Sequence, residues 1–405
     1  MGTLRFEKQV IKIKTDKRGI IMKLTYLIWG YPYDKAILKA WKEMGILVNT
    51  ILLSHELIQN WEEKKEIQQK EKVESLLLSL KEQIRAAAGD MVFSVNFLSF
   101  ISDFCQREAI PYCSWILQLP NFDLYTASVR NGYNYFFVCD SYLVEKLWQL
   151  GITNAFFLPD AVEVDSVREI VPMEREVCFL AKCPEDVLNT KEMSIYSKGY
   201  LDAFIHAQRV LYGAYILENG LLLRVQQEFL KGNILPENLL LEMQKLFVAD
   251  RYFAPVCTRI QQQIFLQNFA SIMTIYSNGE FPDCNSKKKA LVEDEIARKK
   301  IYAGKEFTLV LAPHTLHNGI PRDTLEVIAA GGFPIVGFQR DYAYFFKRDE
   351  TLVYFTNPAE FSRAIVRYGN HIEERERVKE AAYQKLIEGH TYWHRIAAIL
   401  EVWKK

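Results

Sequence analysis

The sequence predicts an α/β protein made of two Rossmann-like halves, and three observations carry that prediction. At 405 residues the chain is too long for one comfortable core, which makes two domains the default. Short, continuously apolar runs recur along it and alternate with stretches of helical periodicity, the pattern of parallel strands covered on both faces. Hydrophobic residues make up 49% of the chain and aromatics 13%, so a well-packed globular fold is expected rather than a disordered one.

Charge and cysteine usage narrow the function classes. Fifty basic and fifty acidic residues cancel, which leaves no electrostatic footprint for nucleic acid. The seven cysteines form no C-x-x-C pair and are odd in number; they read as reduced core residues of a cytosolic protein, not as a disulfide or zinc framework. No apolar run reaches membrane-spanning length, and charged residues stand where a signal peptide needs an apolar core, so a cytoplasmic location is expected.

Taken in order, residues 1–21 form a basic, weakly patterned extension, and Met22 precedes the first convincing strand. That strand runs from Lys23 into Gly30, an amphipathic helix follows to Met44, and Gly45 to Leu53 supplies the second strand. A strand, loop, helix and second strand in that order open a Rossmann-like half, and the loop lacks G-x-G-x-x-G. Glu62 to Ala88 is a long charged helix with a solvated face. Met91–Asn96, Ile110–Pro120, Tyr135–Asp140 and Ala155–Pro159 continue the alternation, and the polar stretch from Pro159 to Pro172 reads as the linker. The expected domains are therefore 22–165 and 172–388, with a last helical segment over 389–405.

Glu176 to Ala181 opens the second half, where Ala181-Lys182-Cys183-Pro184 takes the place of a glycine turn. About 187–270 reads as a helical insertion broken near Gly232 and Pro236, a possible surface for a protein partner. Ile272 to Gly279 is the next strand, with Tyr276 at its carboxyl end, where a nucleotide base could stack; a core tyrosine fits equally. Phe281 to Ala303 reads as a charged loop and helix.

The most informative stretch spans Phe307 to Gly337. Apolar runs at Phe307–Leu311 and Phe333–Val336 predict two buried strands. Between them Pro321 fits the first turn of a helix, Leu325, Ile328 and Ala329 give it an apolar stripe, and Gly331-Gly332 ends it. Such a unit points a helix N-terminus out of the carboxyl edge of a parallel sheet. Asn318-Gly319 lets backbone approach a ligand, Arg322 adds a fork for phosphate oxygens, and Glu326 one turn on could accept from two vicinal hydroxyls. A diphosphate joined to a ribose would use both side chains, although an ordinary exposed i,i+4 pair has the same spacing.

The run Gly319-Ile-Pro-Arg322, Glu326, Ala329 to Phe333, Asp341 and Phe345, closed by His390-Thr-Tyr392 and His394-Arg395, resembles the C-terminal motif of CgeB-like GT-B glycosyltransferases. The N-terminal half carries further matches at Ser94, Asn96, Phe97, Ile110 to Trp115, Asp140 and Leu158 to Ala161. The resemblance implies the GT-B fold, two Rossmann-like domains facing across a cleft, here with extra helices in the C-terminal one. It implies transfer of a sugar from a nucleotide diphosphate sugar, a UDP-sugar being favoured, to an acceptor the sequence does not name. The reaction would need no metal and no cofactor beyond that co-substrate. Donor contacts would come from His314, His317, Asn318, Gly319, Arg322, Glu326, Tyr276 and Asp341. As a metal pair His314 and His317 lack a third ligand in sequence reach.

One departure matters. Gln118 stands where the family pattern has an acidic residue, and a glutamine cannot act as a general base. Asp123 and Asp34 are then the alternative bases, with an N-cap the favoured role for Asp34 by position. A degenerate binding or scaffold subunit, or a nucleotide-sugar epimerase, are the competing functions.

Overall fold

The structure, a computed structural model, describes residues 22–54, 67–164, 171–184, 194–211, 235, 238–279, 281 and 287–403. The expected extension at 1–21, Gly232, Pro236 and much of the expected helical insertion lie outside the described residues. The chain divides into two compact units: Met1–Cys139, Val144–Pro159 and Thr391–Lys405 form one, Asp140–Leu143 and Asp160–His390 the other. Each is a Rossmann-like domain with its own six-stranded parallel sheet, the two-domain content of the GT-B fold.

The first unit runs β1 (Lys23–Ile28), α1 (Asp34–Glu43), β2 (Leu47–Leu52), α2 (Ile67–Ala87), β3 (Met91–Val95), α3 (Ser99–Glu108), β4 (Tyr112–Ile116), β5 (Asn134–Val138), α4 (Ser141–Gln149, whose residues before Val144 count with the second unit) and β6 (Ala155–Phe157). Its strand order is β2-β1-β3-β4-β5-β6, every pair parallel. β3 and β4 are buried at every position, which is why they read as continuous apolar runs. Because β2 lies on one side of β1 and β3 on the other, the strand order reverses between β1 and β3. The last helix of the chain, Tyr392–Trp403, packs on α1.

The second unit contains β7 (Glu174–Ala181), α5 (Ile195–Leu211), α6 (Gln244–Val248), α7 (Ala254–Phe269), β8 (Met273–Ser277), β9 (Lys287–Ala290), α8 (Glu295–Gly304), β10 (Lys305–Val310), α9 (Arg322–Ala329), β11 (Pro334–Gly337), β12 (Val353–Phe355), α10 (Pro358–Asn370) and α11 (Ile372–Gly389). The order β12-β11-β10-β7-β8-β9 is that of a doubly wound dinucleotide-type sheet, with its switch point between β7 and β10. Val177, Phe179, Phe307, Leu309 and Ile335 fill one face, Cys178, Val310, Val336 and Leu325 of α9 the other. Gly331, at φ +77°, ends α9 in the left-handed conformation that favours glycine.

β9 corrects the expectation of loop and helix between Phe281 and Ala303. Lys287, Lys288, Lys289 and Ala290 are all exposed and form the sheet edge, where lysines blunt further pairing and no apolar alternation is required.

Candidate nucleotide-sugar site

In open α/β sheets ligands bind beyond the carboxyl ends of the strands at the switch point. In the second unit that place is framed by the loop after β7 and by residues 311–321 after β10. The β7 loop is tied down by the Gln262 amide, which donates to the Lys182 carbonyl at 3.0 Å, and by the Cys183 N–H, which donates to Asn278 Oδ1 at 2.8 Å. The Lys182 side chain is exposed, and its charge acts on Asp323 in the first turn of α9. Burial pushes the Asp323 carboxyl up, Glu326 adds to that, and Lys182, Arg298 and Arg322 oppose it. By sequence Lys182 stands in a loop that lacks the expected glycine and speaks for a degenerate pocket; the fold puts its charge beside the first turn of α9 instead.

Arg322 and Glu326 do lie together on α9, but they are partners in a chain of charges. Arg322 Nε donates to Glu326 Oε1 at 2.8 Å, and its Nη1 donates to Asp160 Oδ1 and to the Ala161 carbonyl, both at 2.9 Å. Arg298 of α8 donates to both oxygens of Glu326 at 3.3 Å. Two carboxylates alternate with two guanidinium groups, and the side chains are only 7–18% exposed. The solvated i,i+4 pair is thereby replaced by a largely buried network.

The amides expected to face phosphate already hold an internal anion. Asp140 Oδ2 accepts from the N–H groups of Asn318 and Gly319, at 3.0 and 3.2 Å, while Oδ1 accepts from Tyr142 N–H at 2.8 Å. Asn318 Nδ2 donates to Ser141 Oγ, which donates in turn to Asp341 Oδ1 at 2.5 Å. Ser141 N–H donates to Asp341 Oδ2, and Asp341 N–H to the Asn318 carbonyl, both at 3.0 Å. Asp341 has no exposed surface. Both of its oxygens brace this loop, which corrects its expected role toward a sugar. Burial raises its pKa to about 6, against the opposing pull of the Ser141 bonds.

His314 is buried; its N–H donates to Thr258 Oγ1 at 2.8 Å, and its Nδ1 lies 3.3 Å from the same oxygen. Burial first and His317 second push its pKa down to about 3, so the ring is neutral near pH 7. His317 Nε2 stands 3.1 Å from Asp250 Oδ1, in a π-helical turn over Ala249–Phe253, and its ring packs on Tyr142 at 4.7 Å. Asp250, Asp160 and Arg298 had no sequence signal, because each acts on a residue at least 28 positions away. Tyr276 is 5% exposed and packed with Val310 and Leu325, under Lys289 at 5.6 Å, which is the core role of the two considered.

The three candidate bases belong to the first unit and differ sharply. Gln118 follows β4, and its Oε1 accepts from Asn96 Nδ2 at 2.7 Å; Asn96, at φ +60°, also accepts the N–H groups of Leu117 and Gln118. Asp123 accepts the first N–H of α3, from Ser99, at 2.8 Å. Asp34 is buried and does not cap its own helix, contrary to the favoured expectation. The N-cap position is Tyr33, and Asp34 Oδ1 accepts from the Tyr26 hydroxyl at 2.5 Å. Among the described residues no three His, Cys, Asp or Glu side chains gather as metal ligands, and no helix is long and apolar enough to cross a membrane.

Comparison with known proteins places these loops in context. Residues 264–401, which include α8, β10 and α9, match a family model described as glycosyl transferase-like. No curated protein matches the chain in sequence. Among solved structures it is similar to an α,α-trehalose-phosphate synthase (UDP-forming) from Burkholderia vietnamiensis, at 11% identity and a TM-score of 0.52, covering 95% of this chain and 98% of that one. It is also similar to a sucrose-phosphate synthase from Thermosynechococcus elongatus, at 8% identity and a TM-score of 0.50, with the same two coverages. At these identities the likeness is one of fold.

Proposed function

We propose that the protein transfers a sugar from a nucleotide diphosphate sugar, a UDP-sugar being favoured, to an acceptor hydroxyl, in the manner of the CgeB-like group it resembles. The observation that carries this is the N-terminus of α9, bearing Arg322 and Glu326, at the switch point of a doubly wound sheet within the residues that match the glycosyl transferase-like model. In this reading Lys182, Arg322 and the helix end bind the diphosphate and Glu326 takes the ribose. His317, Asn318 and Gly319 lie along the donor. Cations and the helix end neutralise the departing diphosphate, so the step needs no metal. UDP is favoured by the activity printed for the trehalose-phosphate synthase of similar fold. A cytoplasmic location and a protein partner bound through 187–270 belong to the same proposal.

Thermal shift against UDP, GDP, dTDP and CMP, with Arg322→Ala and Glu326→Ala beside the parent, tests the donor site. Stabilisation by one diphosphate that both substitutions abolish supports it; no shift with any nucleotide sinks it. A second reading, a nucleotide-binding subunit without turnover, is favoured by Gln118 and by the Asp140 carboxylate on the Asn318 and Gly319 amides. It predicts the same shift with no consumption of donor.

A further inference from the structure

Helical backbone in the second unit runs without a break from Gln244 to Phe269. α6 passes into the π turn at Ala249 and the π turn into α7 at Ala254, and both junction residues keep right-handed helical angles. Pro255 sits inside that run, in the first turn of α7. A proline has no N–H for the carbonyl four residues back, here that of Arg251, and its ring crowds that oxygen. The run therefore widens instead of continuing as α-helix, and the widening is the π turn.

Its effect is on register. Two α-helical turns take about 7.2 residues, which would leave Asp250 and Thr258, eight apart, roughly 80° off one another. The further residue taken up by the π turn returns them to one face. Both meet a single loop. Thr258 Oγ1 accepts the His314 N–H at 2.8 Å, and Asp250 Oδ1 stands 3.1 Å from His317 Nε2. The two histidines belong to residues 311–321, which carry Asn318 and Gly319 and lead into α9.

The two ties differ in kind. Thr258 holds the chain at His314 through a neutral contact, whereas Asp250 is a carboxylate whose side chain is 1% exposed, facing a ring that is 3% exposed. A charge buried so deeply needs an opposite charge beside it, and His317 stands at ion-pair distance to carry one. Three other titratable groups surround the ring. His314, on the same loop, is kept neutral by burial and then by the positive charge of His317. The Tyr142 ring packs at 4.7 Å, and Asp140 accepts the N–H of the next residue, Asn318. Tyr142 and Asp140 count with the second unit.

We propose that Asp250 is a positioning residue for the transfer: it keeps the His317 imidazole protonated and fixed, so that the loop holds a permanent cation beside the donor diphosphate. His317 keeps its proton throughout. When the bond from the anomeric carbon to the diphosphate oxygen breaks, the electron pair leaves on the diphosphate. The imidazolium joins Lys182, Arg322 and the helix end in offsetting that charge. The π turn serves this arrangement, because without it Thr258 alone would face the loop.

This inference rests on the transfer reading, and the experiment separates the two. The His317 ring is followed by NMR titration of ligand-free protein carrying isotope-labelled histidine, its signal identified by its loss in His317→Gln. In the parent the ring should lose its proton above the ordinary histidine value of about 6.5, and in Asp250→Asn at least about one pH unit lower. Nucleotide affinity, with UDP, GDP and dTDP as probes, is measured by calorimetry across the same pH range. Asp250→Asn should bind more weakly by about fivefold or more at pH 7, and the gap should close as falling pH returns the proton to the ring. A gap below about twofold at pH 7, or one that stays constant with pH, marks a tie that only shapes the loop and overturns the role. A parent ring that titrates at or below about 6.5 overturns it with no variant needed, which keeps the proposal open to refutation should Asp250→Asn fail to fold. A parent that binds none of the three nucleotides ends the transfer reading, and the positioning role with it, whatever the titration shows.

Discussion

Replacing Arg322 by alanine distinguishes an arginine held ready for a ligand from one built into the fold. Its guanidinium makes two charge-assisted hydrogen bonds, to Glu326 at 2.8 Å and Asp160 at 2.9 Å, and a third to the Ala161 carbonyl. Bonds to charged groups contribute about 1.5–3 kcal/mol each, and stranding a buried charge costs more. Two features reduce the sum: Glu326 keeps Arg298, and Asp160 Oδ1 keeps the N–H of Ala161 at 2.7 Å. Arg322 is also 18% exposed, so water can enter on truncation. The expected loss is ~2–3 kcal/mol, a fall of ~5–10 °C in Tm for a unit of this size. Thermal unfolding of the ligand-free protein checks it, together with a double-mutant cycle. Arg322→Ala and Asp160→Asn should combine less than additively, because they share one interaction. A ligand-free Tm unchanged by Arg322→Ala, or strict additivity in the cycle, would refute the network and return Arg322 to the solvent.

Other expectations follow from burial and close contact. Gly332→Ala would place a Cβ 2.5 Å from the Tyr302 carbonyl oxygen and 2.9 Å from Val327 Cγ1, so a loss of about 3 kcal/mol or no soluble protein is expected, read by thermal melting and yield. His314 cannot take a proton in the fold until about pH 3, whereas the unfolded chain takes it near 6.5. Stability from this group is therefore present above about 6.5 and lost as pH falls toward 3, and His314→Gln should flatten that limb in urea titrations. Asp341 acts with the opposite sign: its folded pKa of about 6 lies above the unfolded value of 3.8, so its contribution is present below about 4 and lost as pH rises through 6. Asp341→Asn should gain on the parent across that window; parallel stability curves from pH 4 to 7 would contradict this.

The alternation of strands and helices was legible because parallel strands buried on both faces leave runs such as Met91–Val95 and Phe307–Leu311 that no helix period explains. The helix carrying Arg322 and Glu326 was legible for similar reasons, since its stop at Gly331 and its apolar stripe are local signals. What escaped was pairing over distance. Asp140 lies 178 positions from the Asn318 amide, and Asp160 lies 162 from Arg322; a carboxylate on a loop has no periodicity to announce its partner. The lysine edge strand escaped for another reason, since a solvent-facing edge has no buried side to impose a pattern. At Asp34 local rules favour an N-cap, because they see the helix it starts and not the Tyr26 hydroxyl on the strand before it.

The last helix has a consequence for how the chain is made. Tyr392, Arg395, Ile396, Ala398, Ile399 and Leu400 are buried, Arg395 Nε donates to the Pro159 carbonyl at 2.8 Å, and the helix lies on α1 in the unit begun by β1. During synthesis that unit stays unfinished while residues 160–390 emerge, with the apolar surface of α1 and Trp115 uncovered for that whole interval. Co-translational folding of the first unit therefore cannot run to completion ahead of the second. A ribosome stalled before Thr391 should display a nascent chain in which the second unit resists protease and the first does not.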